Sequence, residues 1–235
     1  GNKMAKPSTL KNLTVTLLVI TFLSAVGLGG MNMLTQEPIA KAKSEKIIAA
    51  LKEVLPDFDN DPTTEKTEED VDGGKLVLYT AKKGNEWVGT AVESFSPSGF
   101  GGRISVMFGF DTEGKITGYS VLEHSETPGL GDHMVDWFKP PVAPVKSLTE
   151  KIFGFEIKPA EKNSNVYGVC PEGGLKVSKD GGTVDAITAA TISSRAFLDA
   201  ANRAYSGFKG NSGSYTGATP AATSETNNEE STSNE

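Results

Sequence analysis

The chain of 235 residues carries 23 Lys/Arg against 30 Asp/Glu, a net charge of −7, which argues against nucleic acid or anionic lipid as a partner. Cys170 is the single cysteine, so neither an internal disulfide nor a cysteine-ligated cluster or zinc site can be built within this chain alone. His124 and His133 are the only histidines and their separation fits no standard local ligand spacing, so no metal site is expected.

Between Lys11 and Glu37 there is no charged residue, and Leu13 to Met33 is almost wholly apolar. A helix needs about 20 such residues to cross the hydrocarbon core, so residues 13–33 are read as a span through the lipid bilayer. The stretch exceeds the roughly 7–15 apolar residues of a signal peptide and lacks an Ala-x-Ala ending, which favours an uncleaved single-pass anchor. Lys3, Lys6 and Lys11 precede it and Glu37 follows. The positive-inside bias then puts the N-terminus in the cytoplasm and the main domain on the extracytoplasmic side of the cell's inner membrane.

After the anchor, Ile39 to Leu55 reads as an amphipathic helix with Ile47, Ile48, Leu51, Val54 and Leu55 on one side, stopped by Pro56. Residues 57–74 are acidic and rich in turn formers, and are read as a surface loop. From Lys75 the apolar period changes to two, and Leu76 to Tyr79, Trp87 to Val92, Ile104 to Phe108 and Ile116 to Leu122 are expected as successive antiparallel strands. Asp111-Thr-Glu-Gly114 is a hairpin turn. A short helix is expected from Asp132 to Phe138, a stiff connector at Pro140-Pro-Val-Ala-Pro144 and a last strand at Leu175-Lys-Val177. Ile192, Ala196, Ala200, Ala204 and Phe208 recur at helical spacing. The fold class is α+β: one transmembrane helix and one domain with an antiparallel sheet flanked by helices. The expected boundaries are 1–36 for the cytoplasmic N-terminus and anchor, 37–208 for the domain and 209–235 for a disordered tail rich in Ser, Thr, Asn, Gly and Glu.

Two stretches carry chemistry. Asp185-Ala-Ile-Thr188-Ala189-Ala190-Thr191 places a hydroxyl in a small-residue setting at the start of a helix, where free N–H groups and the positive dipole end suit a phosphate. Asp185 also reads simply as the N-cap of an alanine-rich helix. His124-Ser-Glu126-Thr127-Pro128-Gly129-Leu130-Gly131 contains a Pro-Gly pair suited to the centre of a type II turn. Its glycines permit close approach to a flat ligand, Leu130 can cover a ring face, and Glu126 and Thr127 offer hydrogen bonds to a polar ring edge.

These residues, with Ser98-Gly-Phe-Gly-Gly102 and Asp111-Thr-Glu-Gly-Lys-Ile116 in the same order, resemble the covalent-flavin proteins of the Rnf and Na+-NADH:quinone reductase complexes. The pattern in that family is Asp-x-x-Ser/Thr-Gly-Ala-Thr. The resemblance implies an FMN joined by a phosphoester to Thr191, with Asp185, Thr188, Ala189 and Ala190 around it and residues 126–131 against the isoalloxazine. It departs from the pattern at Ala189, where glycine is usual. If that position needs positive φ, alanine costs on the order of 1 kcal/mol; if the helix has begun there, alanine is the better residue. Thr216-Gly-Ala-Thr219 mimics the last four positions, but Gly213 stands in place of the aspartate and Pro220 follows.

The Glu-Thr-Pro-Gly-Leu-Gly form looks closest to the G subunits of Rnf complexes. That implies an electron-relay subunit in a complex coupling ferredoxin:NAD+ electron transfer to Na+ or H+ translocation, with other integral-membrane subunits as partners and a flavin transferase acting in maturation. The C subunit of the Na+-translocating quinone reductase, another anchored FMN carrier, and a flavin-free anchored binding domain remain as alternatives. With no Gly-x-Gly-x-x-Gly fingerprint and no acid, base and nucleophile set, independent turnover of a soluble substrate is not expected.

Overall fold

The computed structural model describes residues 10–141 and 162–215. They divide into two compact units, one ending at Ile48 and the other beginning at Ala49. Helix α1 (Leu10–Val54) runs through this division. The sequence reading separates a span from an amphipathic helix; the structure joins them, with Pro38 inside the helix. Its apolar part is long enough to cross a membrane. The hydroxyls of Thr14, Thr16 and Thr21 donate to the carbonyls of Leu10, Asn12 and Leu17 at 2.9, 2.7 and 2.9 Å. These polar groups are thus satisfied by their own helix, as an apolar solvent demands.

The second unit is built on a five-stranded antiparallel meander, β1 (Lys66–Val71), β2 (Gly74–Lys83), β3 (Glu86–Gly99), β4 (Gly102–Phe110) and β5 (Ile116–Glu123), in that spatial order. All four expected strands lie within β2 to β5. Strand β1 falls where a surface loop was expected, because Lys66-Thr-Glu-Glu-Asp-Val71 has no apolar alternation to read. It is an edge strand, and charges such as Glu68 and Asp70, paired with Lys66 and Lys75, keep such an edge from recruiting another chain. The Asp111 turn forms as expected: its Oδ1 accepts from the N–H groups of Glu113 and Lys115 at 2.8 and 2.9 Å, and Gly114 takes φ +79°.

At the far end of the sheet, Gly109 and Gly118 stand opposite each other in the β4–β5 ladder. A Cβ at Gly109 would collide with the backbone of Val54, and one at Gly118 would stand 3.1 Å from the Val54 Cα, so the pair makes a groove for the last turn of α1. Ala50, Leu51 and Val54 are buried there, and Thr117 Oγ1 donates to the Val54 carbonyl.

Beyond β5 come the 3-10 turn Gly131–His133 and the short helix α2 (Met134–Trp137), where a short helix was expected. Leu175 to Val177 does not form a strand; Val177 makes one isolated parallel bridge with Val184, across the turn Ser178–Asp180. Helix α3 (Thr191–Tyr215) continues beyond Lys209, where the tail was expected to begin. Residues 142–144 of the connector and the Thr216-Gly-Ala-Thr219 look-alike lie outside the described residues.

Helix α3 lies across β3 and β4, with Ala196, Ala200 and Ala204 allowing close approach and all fully buried. Ser94 Oγ donates to the Ala200 carbonyl at 2.8 Å and Ser96 Oγ to Asp199 at 2.7 Å, fixing the helix against the sheet in both translation and rotation. Phe197 sits at the centre: it stacks on Phe138 at 4.3 Å and meets Tyr119 and Phe108 edge-on at 4.8 and 5.4 Å. The Tyr119 hydroxyl donates to the Met134 carbonyl at 2.8 Å and accepts from the Phe138 amide at 3.2 Å, so the same cluster pins α2. Phe197→Ala should destabilise the chain by about 3–5 kcal/mol, read as a lowered midpoint in urea unfolding followed by tryptophan fluorescence.

Candidate functional site

The residues around Thr191 form a tight turn before the helix. The Ala190 amide donates to the Ile187 carbonyl at 3.0 Å, which puts Thr188 and Ala189 at the centre of a four-residue turn. Ala189 has φ +62°. This is the third turn position, where a left-handed residue favours glycine, so the departure from the flavin pattern falls at the place that pattern needs glycine. Ser194, fully buried, braces the turn: its Oγ accepts from the Ile187 amide at 2.9 Å and donates to the Ala190 carbonyl at 3.0 Å. The carbonyl of Ala190 also takes the first helical bond, from the Ser194 amide. Ala190 thus occupies the N-cap position with no side-chain oxygen to offer the first-turn N–H groups, which leaves them for an anion.

Asp185 is not the N-cap of this helix. Its Oδ2 accepts from the Asn163 amide at 2.9 Å and its Oδ1 from Ser178 Oγ at 3.2 Å, while its carbonyl accepts from Trp137 Nε1 at 3.0 Å. The carboxylate therefore ties together the segments that enter the turn, from six residues upstream of Thr191.

The loop after β5 closes over the same place. Pro128 and Gly129 make the expected turn, with the Leu130 amide donating to the Thr127 carbonyl at 3.1 Å and Gly129 at φ +77°. The turn presents Thr127 and Leu130 to a cavity of about 290 Å³. Phe100, Glu126, Thr127, Leu130 and Gly131 line one side of it, and Ala189, Ala190, Thr191, Ile192 and Ser193 the other. Pro128, Gly129, Asp185 and Thr188 do not line the cavity. A larger hollow of about 430 Å³, bordered by Pro171, Gly174, Asn202 and Tyr205, contains no residue of either motif.

Glu126 joins the two walls. It is 5% exposed; its Oε2 accepts from Ser193 Oγ at 2.6 Å and its Oε1 from the Gly101 amide at 3.2 Å. Gly131 is required beside it, since a Cβ there would stand 2.5 Å from both Glu126 Oε2 and Ser193 Oγ. His124 belongs to the loop's own structure, its Nδ1 accepting from the Glu126 amide at 3.3 Å. Around the cavity, Phe100, Leu130 and Ile192 keep 69%, 40% and 48% of their surface exposed, an apolar rim suited to the faces of a flat ring.

Two features of the site have no local signal in the sequence. Lys179 Nζ donates to Thr191 Oγ1 at 3.1 Å, a contact made by the Val177–Val184 bridge that folds Lys179 back over the turn. Arg195 grips Asp180 with two bonds of 2.7 and 2.6 Å and holds its carboxyl below the usual range. Phe100, from the Ser98-Gly-Phe-Gly-Gly102 stretch that the sequence singles out, reaches the cavity from the β3–β4 hairpin tip. Cys170 is half-buried and hydrogen-bonded to the Tyr205 hydroxyl at 3.3 Å, away from the cavity.

The residues present fit a flavin phosphate. A hydroxyl stands on an uncapped helix start beside an ammonium, and an apolar rim lies across the cavity. At about 290 Å³ the cavity is at the lower edge of ligand sites, roughly 300–1,000 Å³, room for part of such a ligand only. Ala189→Gly should stabilise the chain by about 1 kcal/mol by relieving the left-handed strain, seen as a raised unfolding midpoint. Glu126→Ala leaves the Ser193 hydroxyl and the Gly101 amide without their acceptor and should cost about 1–3 kcal/mol, with faster amide exchange at residues 100–102 and 127–131.

Residues 99–206, from the hairpin tip to the middle of α3, match the FMN-binding domain family. Among curated relatives, the G subunit of the ion-translocating oxidoreductase complex of Cereibacter sphaeroides is 33% identical over 79% of this chain and 78% of its own length. The corresponding protein of Vibrio parahaemolyticus is 34% identical over 71% and 74%, and that of Stutzerimonas stutzeri 32% over 81% and 77%. The chain therefore belongs to the family of the ion-translocating oxidoreductase complex G subunits.

Proposed function

We propose that this chain is the FMN-carrying electron-relay subunit of a membrane complex that couples ferredoxin:NAD+ electron transfer to Na+ or H+ translocation. The observation that carries the reading is the cavity in which the 126–131 loop meets Thr191. FMN, when bound, supplies a centre that accepts and passes on electrons. Thr191 Oγ1 is the attachment point for its phosphate, and the first-turn amides of α3 face that negative charge. Leu130, Phe100 and Ile192 contact the ring and limit water at its faces. Glu126 acts by holding the loop to the helix.

The relatives, named as G subunits, favour an Rnf-type assembly over the quinone reductase alternative. Residues 13–33 anchor the chain in the membrane, with Lys3, Lys6 and Lys11 on the cytoplasmic side and the domain outside. A covalent link has a clear use there, since a dissociated cofactor would be lost by dilution. Other membrane subunits exchange electrons with it, and a flavin transferase installs the cofactor.

Peptide mass spectrometry of the chain purified from its host should find one riboflavin phosphate on the peptide containing Thr191, and a fluorescent band should survive denaturing electrophoresis. Thr191→Val should abolish both while leaving the unfolding free energy within about 0.5 kcal/mol of the parent. Unmodified Thr191 in native material, or flavin on Thr219, overturns the attachment.

A further inference from the structure

The turn leading into α3 places a cation on the acceptor hydroxyl. Lys179 belongs to the 3-10 turn Ser178–Asp180, and its Nζ donates to Thr191 Oγ1 at 3.1 Å. That turn is held from three directions. Asp180 is chelated by Arg195 of α3, Ser178 Oγ donates to Asp185 at 3.2 Å, and the Val177–Val184 bridge closes its base. Lys179 is thus carried by a backbone whose neighbours already have partners. Arg195, another cation close by, is engaged with Asp180. Among the described residues no carboxylate forms an ion pair with Lys179.

We propose that Lys179 is the positioning residue and counter-ion for the phosphate end of the flavin, an inference that rests on Thr191 as the attachment point. Forming the link makes an Oγ1–P bond and breaks the bond from phosphorus to the leaving group of an activated flavin phosphate donor, and the hydroxyl proton passes to water. The resulting diester keeps one negative charge, on oxygens bonded to a phosphorus that is itself bonded to the atom Lys179 already touches. In a chain of net charge −7, that anion is stabilised by a charge-assisted hydrogen bond from a fixed ammonium. Lysine serves here as a point charge, and arginine keeps that charge with a different donor geometry.

The test uses the full chain, produced with a flavin transferase, in two measurements. Intact mass followed over time gives the loading rate of the parent, Lys179→Met, Lys179→Arg and Thr191→Val. Acylation by a small amine reagent, mapped by peptide, compares Lys179 in the flavin-loaded parent with Lys179 in Thr191→Val, with the exposed Lys176 as internal reference. Lys179→Met should load roughly tenfold more slowly than the parent, as expected for one lost charge-assisted bond, and Lys179→Arg should recover most of the rate. Lys179 should be acylated several-fold more slowly in the loaded parent than in Thr191→Val, while Lys176 reacts alike in both. Parental loading by Lys179→Met, or equal acylation of Lys179 in the two chains, overturns the role of Lys179 and leaves Thr191 standing. A parent that gains no flavin on Thr191 removes both.

Discussion

The buried carboxylate of Glu126 is the contact that joins the two walls of the cavity. Glu126 receives hydrogen bonds from Ser193 on α3 and from Gly101 at the β3–β4 tip, segments far apart in the chain. Burying a carboxylate is costly unless its oxygens are satisfied, and here each oxygen has a partner from a different element. The loop, the hairpin tip and the helix start are thereby held in one arrangement. Gly131 is the steric condition for that contact, because any side chain there would displace both Glu126 and Ser193.

The sheet and α3 supply the frame for this clasp. Small residues on the helix let it approach β3 and β4 closely, and Ser94 and Ser96 set its position by bonds to Ala200 and Asp199. Phe197 then links that helix to α2 through Phe138 and Tyr119. The hydroxyl of Thr191 is consequently placed by the packed core, with the left-handed Ala189 in the short turn before it. Strain at Ala189 is local, and the buried Ser194 bonds on either side of it over-determine the turn.

Most of the frame was legible in the sequence, for identifiable reasons. Strands β2 to β5 bury one face and announce it by alternation; α3 announces itself by its alanine and phenylalanine spacing; the Pro128-Gly129 turn follows from the φ that each residue favours. Strand β1 was invisible because an edge strand with charged side chains carries no burial pattern. Leu175 to Val177 looked like a strand because its apolar residues are buried, though by loop packing and one bridge. Asp185 was readable as a cap from its type and place, yet its bonds run to Asn163, Ser178 and Trp137. Lys179 and Arg195 were unreadable, since their roles arise from a reversal of the chain at residues 178–181 that no periodicity encodes.

The small volume and open rim of the cavity change what the protein must provide if its ligand is tethered. A freely exchanging cofactor has to be retained by affinity, which calls for deep enclosure. On a tether anchored at Thr191, the ring returns to its seat as an intramolecular event, at an effective concentration on the order of millimolar for a short flexible link. Weak contacts from Leu130, Phe100 and Ile192 then suffice for occupancy. The fold is free to leave one edge of its redox group uncovered, so that a neighbouring carrier can come within range for electron exchange without any gate having to open.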